Sequence, residues 1–288
     1  MIRTTVIAAS LAITFTAAQA AQPLTVKVYN ADGNSFNVNS TLVYGEQEAM
    51  VIDAGFTRAD ALRIAANVLD SGKQLTTIYV SQADPDYYFG VETLKEFFPQ
   101  ADVVTTPAVL AKLVAKMSGK LAFWAPKMGA NAPRQPVVPR ALEGNTLKLE
   151  GQIIEIRGTT GLLAHRPYVW IPAIKTIVGN IAVFGNMHVW TADAQTAAER
   201  AAWVAQLDDM LALKPELVVP GHMSAGTKVD ASAITFTKGY LQIFEKNLAF
   251  SKDSAGLIAA MKQSYPQVTD GAMSLDIGAK VNKGEMKW

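Results

Sequence analysis

Amide, carboxyl and phenol side chains cluster directly after a short apolar segment early in the chain. Residues 77–80 are all β-branched or aromatic, which predicts a buried strand, and the polar residues Gln82, Asp84, Asp86 and Tyr87 follow it. In an α/β protein, side chains at the carboxyl end of a strand project into a crevice where ligands bind. These four residues are therefore the first candidates for a functional site.

The two carboxyl groups of this cluster permit two kinds of chemistry. If Asp84 and Asp86 face one pocket they repel, so either a cation lies between them or one of them is protonated. In the first case Mg²⁺, Mn²⁺ or Ca²⁺ is held by the carboxylates beside the amide of Gln82, and the ion activates water. In the second case one carboxyl acts as base and the other as acid, and Tyr87 donates to a developing oxyanion.

The same residues also fit the start of a helix. Asp84 can cap free backbone amides, Pro85 suits the first helical position, and Asp86 is favoured near the positive end of a helix. Gly90 then leads into residues 91–98, whose apolar spacing predicts a helix. The sequence supports both the structural and the functional interpretation.

The order of strand, polar loop, glycine and helix resembles the metallo-β-lactamase superfamily. There a strand ends in the signature His-x-His-x-Asp-His, followed by glycine; here the four signature positions are Gln82, Asp84, Asp86 and Tyr87. The Val-Ile-Asp-Ala-Gly sequence that contains Asp53 is similar to the segment before the signature, where the aspartate has a largely structural part. The resemblance implies an α/β fold, the metallo-β-lactamase-like four-layer αββα sandwich.

Three later segments are similar to those that carry the remaining family ligands. Thr159 stands at the position of a ligand histidine, and the Gly179-Asn180 pair resembles the Gly-Asp that bridges two metals. The Pro-Gly-His sequence that ends at His222 resembles the final Gly-His of the family. Only Asp86 and His222 keep the family's ligand types.

The resemblance implies a hydrolase with an atypical site that is poor in histidine. The implied catalytic residues are Asp86, Tyr87 and His222, and the implied metal ligands are Gln82, Asp84, Asp86, Asn180 and His222. Zinc prefers imidazole and thiolate, whereas oxygen donors suit harder ions. The site is therefore predicted to hold Mg, Mn, Ca or a single weakly held Zn, or to work without metal.

A long segment without clear periodicity is predicted to lie over the site. Residues 118–139 are rich in proline, with Trp124 and Met128 among them, which is typical of a lid or binding loop. These two side chains are predicted to form an apolar pocket wall; the alternative is that they cover a sheet edge. His188 is predicted at the mouth of the site, and His165 is a replacement for the missing ligand; for both, the alternative is a packing or surface role.

Apolar periodicity predicts strands and helices along one domain. Strands are predicted at residues 24–30, 41–45, 49–55, 102–105, 146–149, 152–156, 168–172, 176–180 and 216–219. Helices are predicted at residues 58–69, 91–98, 107–117 and 199–213, with a C-terminal helical segment at 233–263, split near residue 254. One sandwich accounts for this order.

The composition is that of a globular protein. Of the 288 residues, 50% are hydrophobic, which is enough for a large buried core. The 26 basic and 25 acidic residues give a formal net charge of +1, with no long run of either sign, so no nucleic-acid partner is predicted. The predicted partner is a small-molecule substrate. The absence of cysteine excludes disulfides and thiolate metal ligands.

Residues 1–20 have the pattern of a secretory signal peptide. Arg3 precedes an apolar run over residues 6–18, and the Ala-Gln-Ala sequence at 18–20 is typical of a cleavage site. We therefore predict export, a periplasmic location, and a mature domain at residues 21–288 without a stable membrane anchor. The alternative is an uncleaved anchor, although the apolar run is shorter than the roughly 20 residues that cross a bilayer.

The predicted function is hydrolysis of a small ester, lactone or related substrate by an exported protein. The alternative is a non-catalytic protein of the same fold that binds a small ligand or a partner. Neither the substrate nor the oligomeric state follows from the sequence.

Overall fold

The computed structural model describes residues 23–288 and contains two large β-sheets packed face to face. The first sheet has six strands in sequential order: β1 (Thr25–Asn30), β2 (Asn39–Tyr44), β3 (Glu48–Ile52), β4 (Gln74–Tyr79), β5 (Asp102–Thr105) and β6 (Arg140–Ala141). Strands β1 to β3 pair antiparallel, and β3 to β6 pair parallel. The parallel part directs the carboxyl ends of β4 and β5 to one edge of the sheet.

The second sheet comes from the later part of the chain. Its strands are β7 (Thr146–Leu149), β8 (Gln152–Arg157), β9 (Tyr168–Ile171), β10 (Thr176–Val178) and β12 (Leu217–Val218), in the order β12-β10-β9-β8-β7. Two short strands, β11 (Phe184–Gly185) and β13 (His222–Met223), form a separate parallel pair. This pair lies beside the first sheet's edge, because Val38 forms a bridge to His222.

Helices cover the outer faces of both sheets. They are α1 (Arg58–Ser71), α2 (Pro85–Tyr88), α3 (Val91–Phe97), α4 (Pro107–Met128), α5 (Ala197–Ala212), α6 (Ser232–Phe250), α7 (Ser254–Ser264) and α8 (Ala272–Asn282). Residues of α1, α3 and α4 share an apolar core with the first sheet, and residues of α5 to α8 share one with the second part. The four-layer αββα architecture is therefore confirmed.

A separate apolar layer holds the two sheets together. Val43 and Ile52 of the first sheet belong to the same buried cluster as Ile156 and Val178 of the second. Full burial of each aliphatic side chain of this kind contributes about 1.5–3 kcal/mol. These residues alternate with outward-facing ones along each strand, which is why period-two spacing located most strands correctly.

The structure corrects the prediction of a long irregular loop at residues 118–139. Helix α4 continues to Met128, because residues 111–125 are rich in Ala, Leu, Lys and Met, which are strong helix formers. Pro126 lies in the last turn, and the helix ends at Gly129. In the predicted C-terminal helical segment the structure has α6 and α7, with a break at residues 251–253, and a further helix, α8, that was not predicted.

The leader predicted at residues 1–20 lies outside the described residues. Within the part of the chain that the structure describes, none of the helices combines the length and apolar character required to cross a membrane.

Candidate functional site

Contacts of Asp53 and Gly90 hold the polar loop after β4 in place. The Asp53 carboxyl accepts hydrogen bonds from the Ser81 backbone N–H and hydroxyl at 2.7 and 2.8 Å. Gly90 lies against the backbone of Ala54, where an added Cβ would come within 2.0 Å of the carbonyl oxygen. Only glycine permits this approach. The loop that carries Asp86 is therefore held close to the end of the sheet.

Asp86 and His222 meet from opposite halves of the fold. Asp86 lies on α2 and His222 on β13, and Asp86 Oδ2 is 3.5 Å from His222 Nε2. Both residues are 7% exposed. Gly221 makes this meeting possible, because a Cβ there would lie 2.1 Å from the carbonyl oxygen of Asn180. The two residues that keep the family's ligand types are thus direct neighbours.

The hydrogen bonds of His222 define its tautomer. Its Nδ1 is 2.9 Å from the carbonyl oxygen of Phe36, and because a carbonyl oxygen can only accept, Nδ1 carries the proton. The lone pair of the neutral ring is then on Nε2, which faces Asp86. Phe184 stacks on the imidazole with a centroid distance of 5.2 Å, and the Tyr87 ring packs edge-on at 5.6 Å. The imidazole is therefore fixed in both orientation and tautomer.

Burial favours the neutral form of both groups. The pKa of Asp86 is raised well above its ordinary value by burial, and the nearby charge of Asp84 raises it further. Burial lowers the pKa of His222 to about 4, although the hydrogen bond to Phe36 opposes this shift. Burial therefore favours a protonated carboxyl beside an imidazole that is neutral near pH 7. The pair offers a proton donor and a proton acceptor side by side.

This pair lines an apolar cavity of about 200 Å³. Trp124 belongs to α4, Met273 and Ile277 to α8, and Trp288 follows α8. The other lining residues come from both halves of the fold: Phe36, Phe56, Asp84, Pro85, Lys120, Phe123, Ile181, Phe184, Met187, Trp190, Asp193 and Ser274. An apolar cavity of about 150 Å³ already accepts benzene. The cavity therefore suits a small molecule with an apolar body.

The other predicted pocket residues differ in their placement. Trp124 lines the cavity and packs edge-on against the rings of Phe36 and Phe56 at 5.4 and 5.3 Å. Met128 packs against the apolar core between the first sheet and its helices, and it lies outside the cavity lining. His188 is buried away from the cavity, with Nδ1 2.9 Å from the Tyr240 hydroxyl. The structure thus brings only Trp124 of these three to the site.

Several of the positions at which the family has metal ligands are engaged in other bonds. Gln82 donates to the carbonyl of Pro167 at 3.0 Å, and the Asn180 amide bonds at both ends, to the backbone of Val183 and Val219. The Tyr87 hydroxyl donates to the Asn180 carbonyl at 3.2 Å, so it is directed away from an oxyanion role. These side chains are positioned as structural links.

The donor set that remains does not fit the metal centre implied by the resemblance. Thr159 lies in the loop after β8, outside the lining of the cavity that contains Asp86 and His222. Across residues 23–288, no three His, Asp or Glu side chains are grouped so as to hold one ion. Asp86 and His222 alone supply two ligands, fewer than the three or four protein ligands of zinc sites. The chemistry of the pair is therefore considered without metal.

Asp84 and Asp193 are the charged residues beside the pair. Although Asp84 stands at the start of α2, its side chain caps none of the described backbone amides; its Oδ1 lies 3.8 Å from Lys120 Nζ. Asp193 accepts hydrogen bonds from the indole N–H groups of Trp190 and Trp288 at 2.7 and 3.0 Å. The side chain of Asp84 therefore does not act as the predicted helix cap, and it is paired with Lys120 instead.

Arg166 is a site residue that the sequence reasoning missed. Its side chain is buried, stacks on the Trp203 ring at 4.2 Å and donates through Nη2 to the carbonyl of Ile181 at 3.4 Å. With Gln82 and Asp84 it lines a second cavity of about 20 Å³. The available signal was its charge, since it is the sole Lys, Arg, Asp or Glu in the loop at residues 158–167.

Comparisons with known proteins agree with this fold. A family model of the metallo-beta-lactamase superfamily matches residues 33–222. Among curated protein sequences, none matches this chain significantly.

Solved structures with similar folds include three metallo-beta-lactamase-type proteins. A beta-lactamase domain protein from Burkholderia ambifaria has a TM-score of 0.61 at 15% identity, covering 92% of this chain and 85% of its own. A metallo-beta-lactamase family protein from Thermus thermophilus has a TM-score of 0.60 at 15% identity, covering 91% of each chain. DIM-1 metallo-beta-lactamase exposed to ceftazidime has a TM-score of 0.54 at 18% identity, covering 78% of this chain and 94% of its own. These identities support the fold alone.

Proposed function

Because this chain belongs to the metallo-beta-lactamase superfamily, most of whose members are hydrolases, we propose that it hydrolyses a small, mainly apolar ester or lactone. The observation that carries the proposal is the buried pair of Asp86 and His222, 3.5 Å apart in the wall of an apolar cavity. Their neutral forms provide an acid and a base without a metal ion. A substrate carbonyl beside the pair would contact both groups.

In the proposed reaction, water attacks the carbonyl carbon of the substrate. The water oxygen bonds to this carbon while one water proton passes to His222 Nε2, and the protonated Asp86 donates a hydrogen bond to the carbonyl oxygen, where negative charge develops. When the tetrahedral intermediate collapses, the bond to the leaving alkoxide breaks and the alkoxide takes the proton from His222. An acid and an alcohol leave, or one hydroxy acid if the substrate is a lactone.

The cavity supports the proposed substrate class. Most of its lining is aromatic or aliphatic, and its volume of about 200 Å³ suits one ring system or a short acyl chain. Burial of the apolar body would supply binding energy and exclude water from the pair, which strengthens its hydrogen bonds. We propose further that the protein is exported to the periplasm, because residues 1–20 have the pattern of a signal peptide.

A second candidate function is binding of a small apolar ligand without turnover. The aromatic lining favours it, because Trp124, Trp190 and Trp288 surround a space that needs no reaction to bind a ligand. The three indoles also give a direct readout, since a bound ligand would change their fluorescence.

A panel of aryl esters, alkyl esters and lactones tests the leading proposal. We expect turnover of at least one apolar member, unchanged by a chelator and lost in His222→Gln. The matched control is His188→Gln, because His188 is also buried and also bonded through Nδ1. If no member is turned over while an apolar ligand quenches tryptophan fluorescence, the binding function replaces the hydrolase.

A further inference from the structure

A buried cation lines the second cavity, which shares Asp84, Ile181 and Asp193 with the cavity of the acid–base pair. The Arg166 side chain is 3% exposed, and its Nη1 has no hydrogen-bond acceptor among the described residues. The cavity of about 20 Å³ that it lines has the volume of roughly one water molecule. Asp84 and Asp193 line the same cavity and are the acidic groups that most favour the charged form of Arg166. A fixed positive charge therefore lies beside two carboxyl groups.

Two positions of the metal-site frame line the cavity with this guanidinium, and the residue after a third position accepts its hydrogen bond. Gln82 and Asp84, which stand where the family has its first two signature histidines, line the cavity with it. Gln82 also donates to the carbonyl of Pro167, the residue after Arg166. The Arg166 Nη2 group donates to the carbonyl of Ile181, which follows Asn180 at the position of the bridging aspartate. The Arg166 side chain thus lies beside two residues, Gln82 and Asp84, that correspond to ligands of the first metal.

We propose that the guanidinium of Arg166 is a built-in cation that takes the place of the first metal ion of the superfamily. The guanidinium keeps its charge at any physiological pH, so it balances Asp84 and Asp193 permanently. It also fills the volume that an ion would need. This inference concerns the charge and occupancy of the site, and it holds whether or not the protein is a hydrolase.

The proposal has a specific consequence for a variant that lacks the guanidinium. Removing it enlarges the cavity that Asp84, Asp193, His165 and Gln82 line; within residues 23–288 these groups are not arranged to hold one ion while the guanidinium is present. Carboxylate, imidazole and amide oxygen are a suitable donor set for Mn²⁺ or Zn²⁺. Arg166→Ala is therefore expected to acquire affinity for a divalent ion that the wild-type protein lacks.

The test compares thermal unfolding with and without Mn²⁺ or Zn²⁺, together with the metal content after dialysis. We expect Arg166→Ala to retain about one ion per chain and to gain about 3 °C or more in Tm when the ion is added. Arg166→Lys keeps a cation in the cavity and is expected to gain neither. Because the alanine variant leaves a cavity and can unfold, Arg166→Gln, which removes the charge with less loss of volume, is measured beside it.

The matched control is Arg200→Ala. Arg200 is also buried and is paired with Glu245, but it lies on α5 and lines neither of the two cavities. Ion uptake in the Arg166 variants without charge, and not in Arg200→Ala, supports the proposal. Stoichiometric metal at this site in the wild-type protein overturns it. So does a folded Arg166→Ala or Arg166→Gln that takes up no more metal than Arg200→Ala. Neither result depends on turnover.

Discussion

Two neighbouring parts of the site favour opposite charge states: an apolar compartment, the cavity of Asp86 and His222, and a charged compartment, the cavity of Arg166 and Asp193. The cavity that contains Asp86 and His222 is mostly apolar, and burial favours the neutral forms of both groups. In the compartment of Arg166 and Asp193, burial also disfavours charge, but the guanidinium and hydrogen bonds from two indoles hold the pKa of Asp193 below its ordinary value. The pKa values of Asp86 and Asp193 therefore shift in opposite directions, because the charge of Asp193 is stabilised by Arg166 and by two indole donors.

This difference shows how a histidine-poor site retains chemical capability. In the charged compartment, Arg166 and two indole N–H groups stabilise the ionised form of Asp193, which therefore has no proton to donate near neutral pH. In the apolar compartment, burial favours the neutral forms of Asp86 and His222, so one group has a proton to donate and the other has a lone pair to accept one. We therefore assign catalysis to the apolar compartment and charge balance to the other.

The largest expected effect on turnover distinguishes His222 from His188, which is also buried. His222→Gln removes the base and is expected to lower turnover by about 10²–10⁴-fold, the usual contribution of a general base. His188→Gln removes a buried imidazole outside the cavity and is expected to change turnover by less than about threefold. Steady-state kinetics on the best substrate measures both. Equal losses in the two variants would mean that folding, and not catalysis, is affected.

A smaller effect is expected for the two carboxyl groups of the polar loop. Asp86→Asn keeps a hydrogen-bond donor toward the substrate but weakens it, so a loss of about 10–100-fold in kcat is expected. Asp84→Asn removes a charge that raises the pKa of Asp86 but keeps both members of the pair, and burial is the larger cause of that shift, so its loss should stay below about fivefold. A larger loss in Asp84→Asn than in Asp86→Asn would reverse the assignment of the compartments.

Removing an aromatic side chain from the cavity wall should affect substrate binding more than the chemical step. Trp124→Ala removes a ring that packs on Phe36 and Phe56, and apolar substrate would lose about 1–2 kcal/mol of burial, a rise of about 5–30-fold in KM. Trp124→Phe keeps an aromatic wall and should show less than half of this free-energy change. The split between KM and kcat checks the prediction, because an effect on kcat alone would place Trp124 in the chemical step.

The neutral pair also predicts opposite pH dependences of stability in two variants. His222 has a lowered pKa, so its contribution is present above about pH 6.5 and is lost as the pH falls toward about 4. Asp86 has a raised pKa, so its contribution is present at low pH and is lost as the pH rises through the folded value. In the wild-type protein the contributions of His222 and Asp86 to stability therefore change in opposite directions as the pH changes.

In each single variant, the pH dependence of the free energy of unfolding should be that of the remaining member of the pair. Between pH 6.5 and 4.5, Asp86→Asn should lose about 1–3 kcal/mol of stability relative to wild type, and His222→Gln should gain stability relative to wild type. Urea unfolding at both pH values measures the differences. Slopes of the same sign in both variants would show that the pair is not neutral.

The sequence was sufficient for the fold and for the meeting of Asp86 with His222, and the reasons are physical. Period-two strands and the close-approach glycines Gly90 and Gly221 are local requirements that leave a direct trace in the chain. Arg166 left no such trace, because its burial depends on Trp203 and on loops far apart in sequence. The extension of α4 was missed because Pro126 was given too much weight against strong helix formers before it.

The neutral state of His222 is the central claim, and histidine-selective ¹⁵N NMR over a pH titration tests it most directly. The His222 signal is assigned by its absence in His222→Gln. We predict a neutral ring with its proton on Nδ1 from about pH 8 down to about pH 5, with protonation only near a pKa of about 4. A His222 imidazole that is charged at pH 7, or that carries its neutral proton on Nε2, would contradict the account.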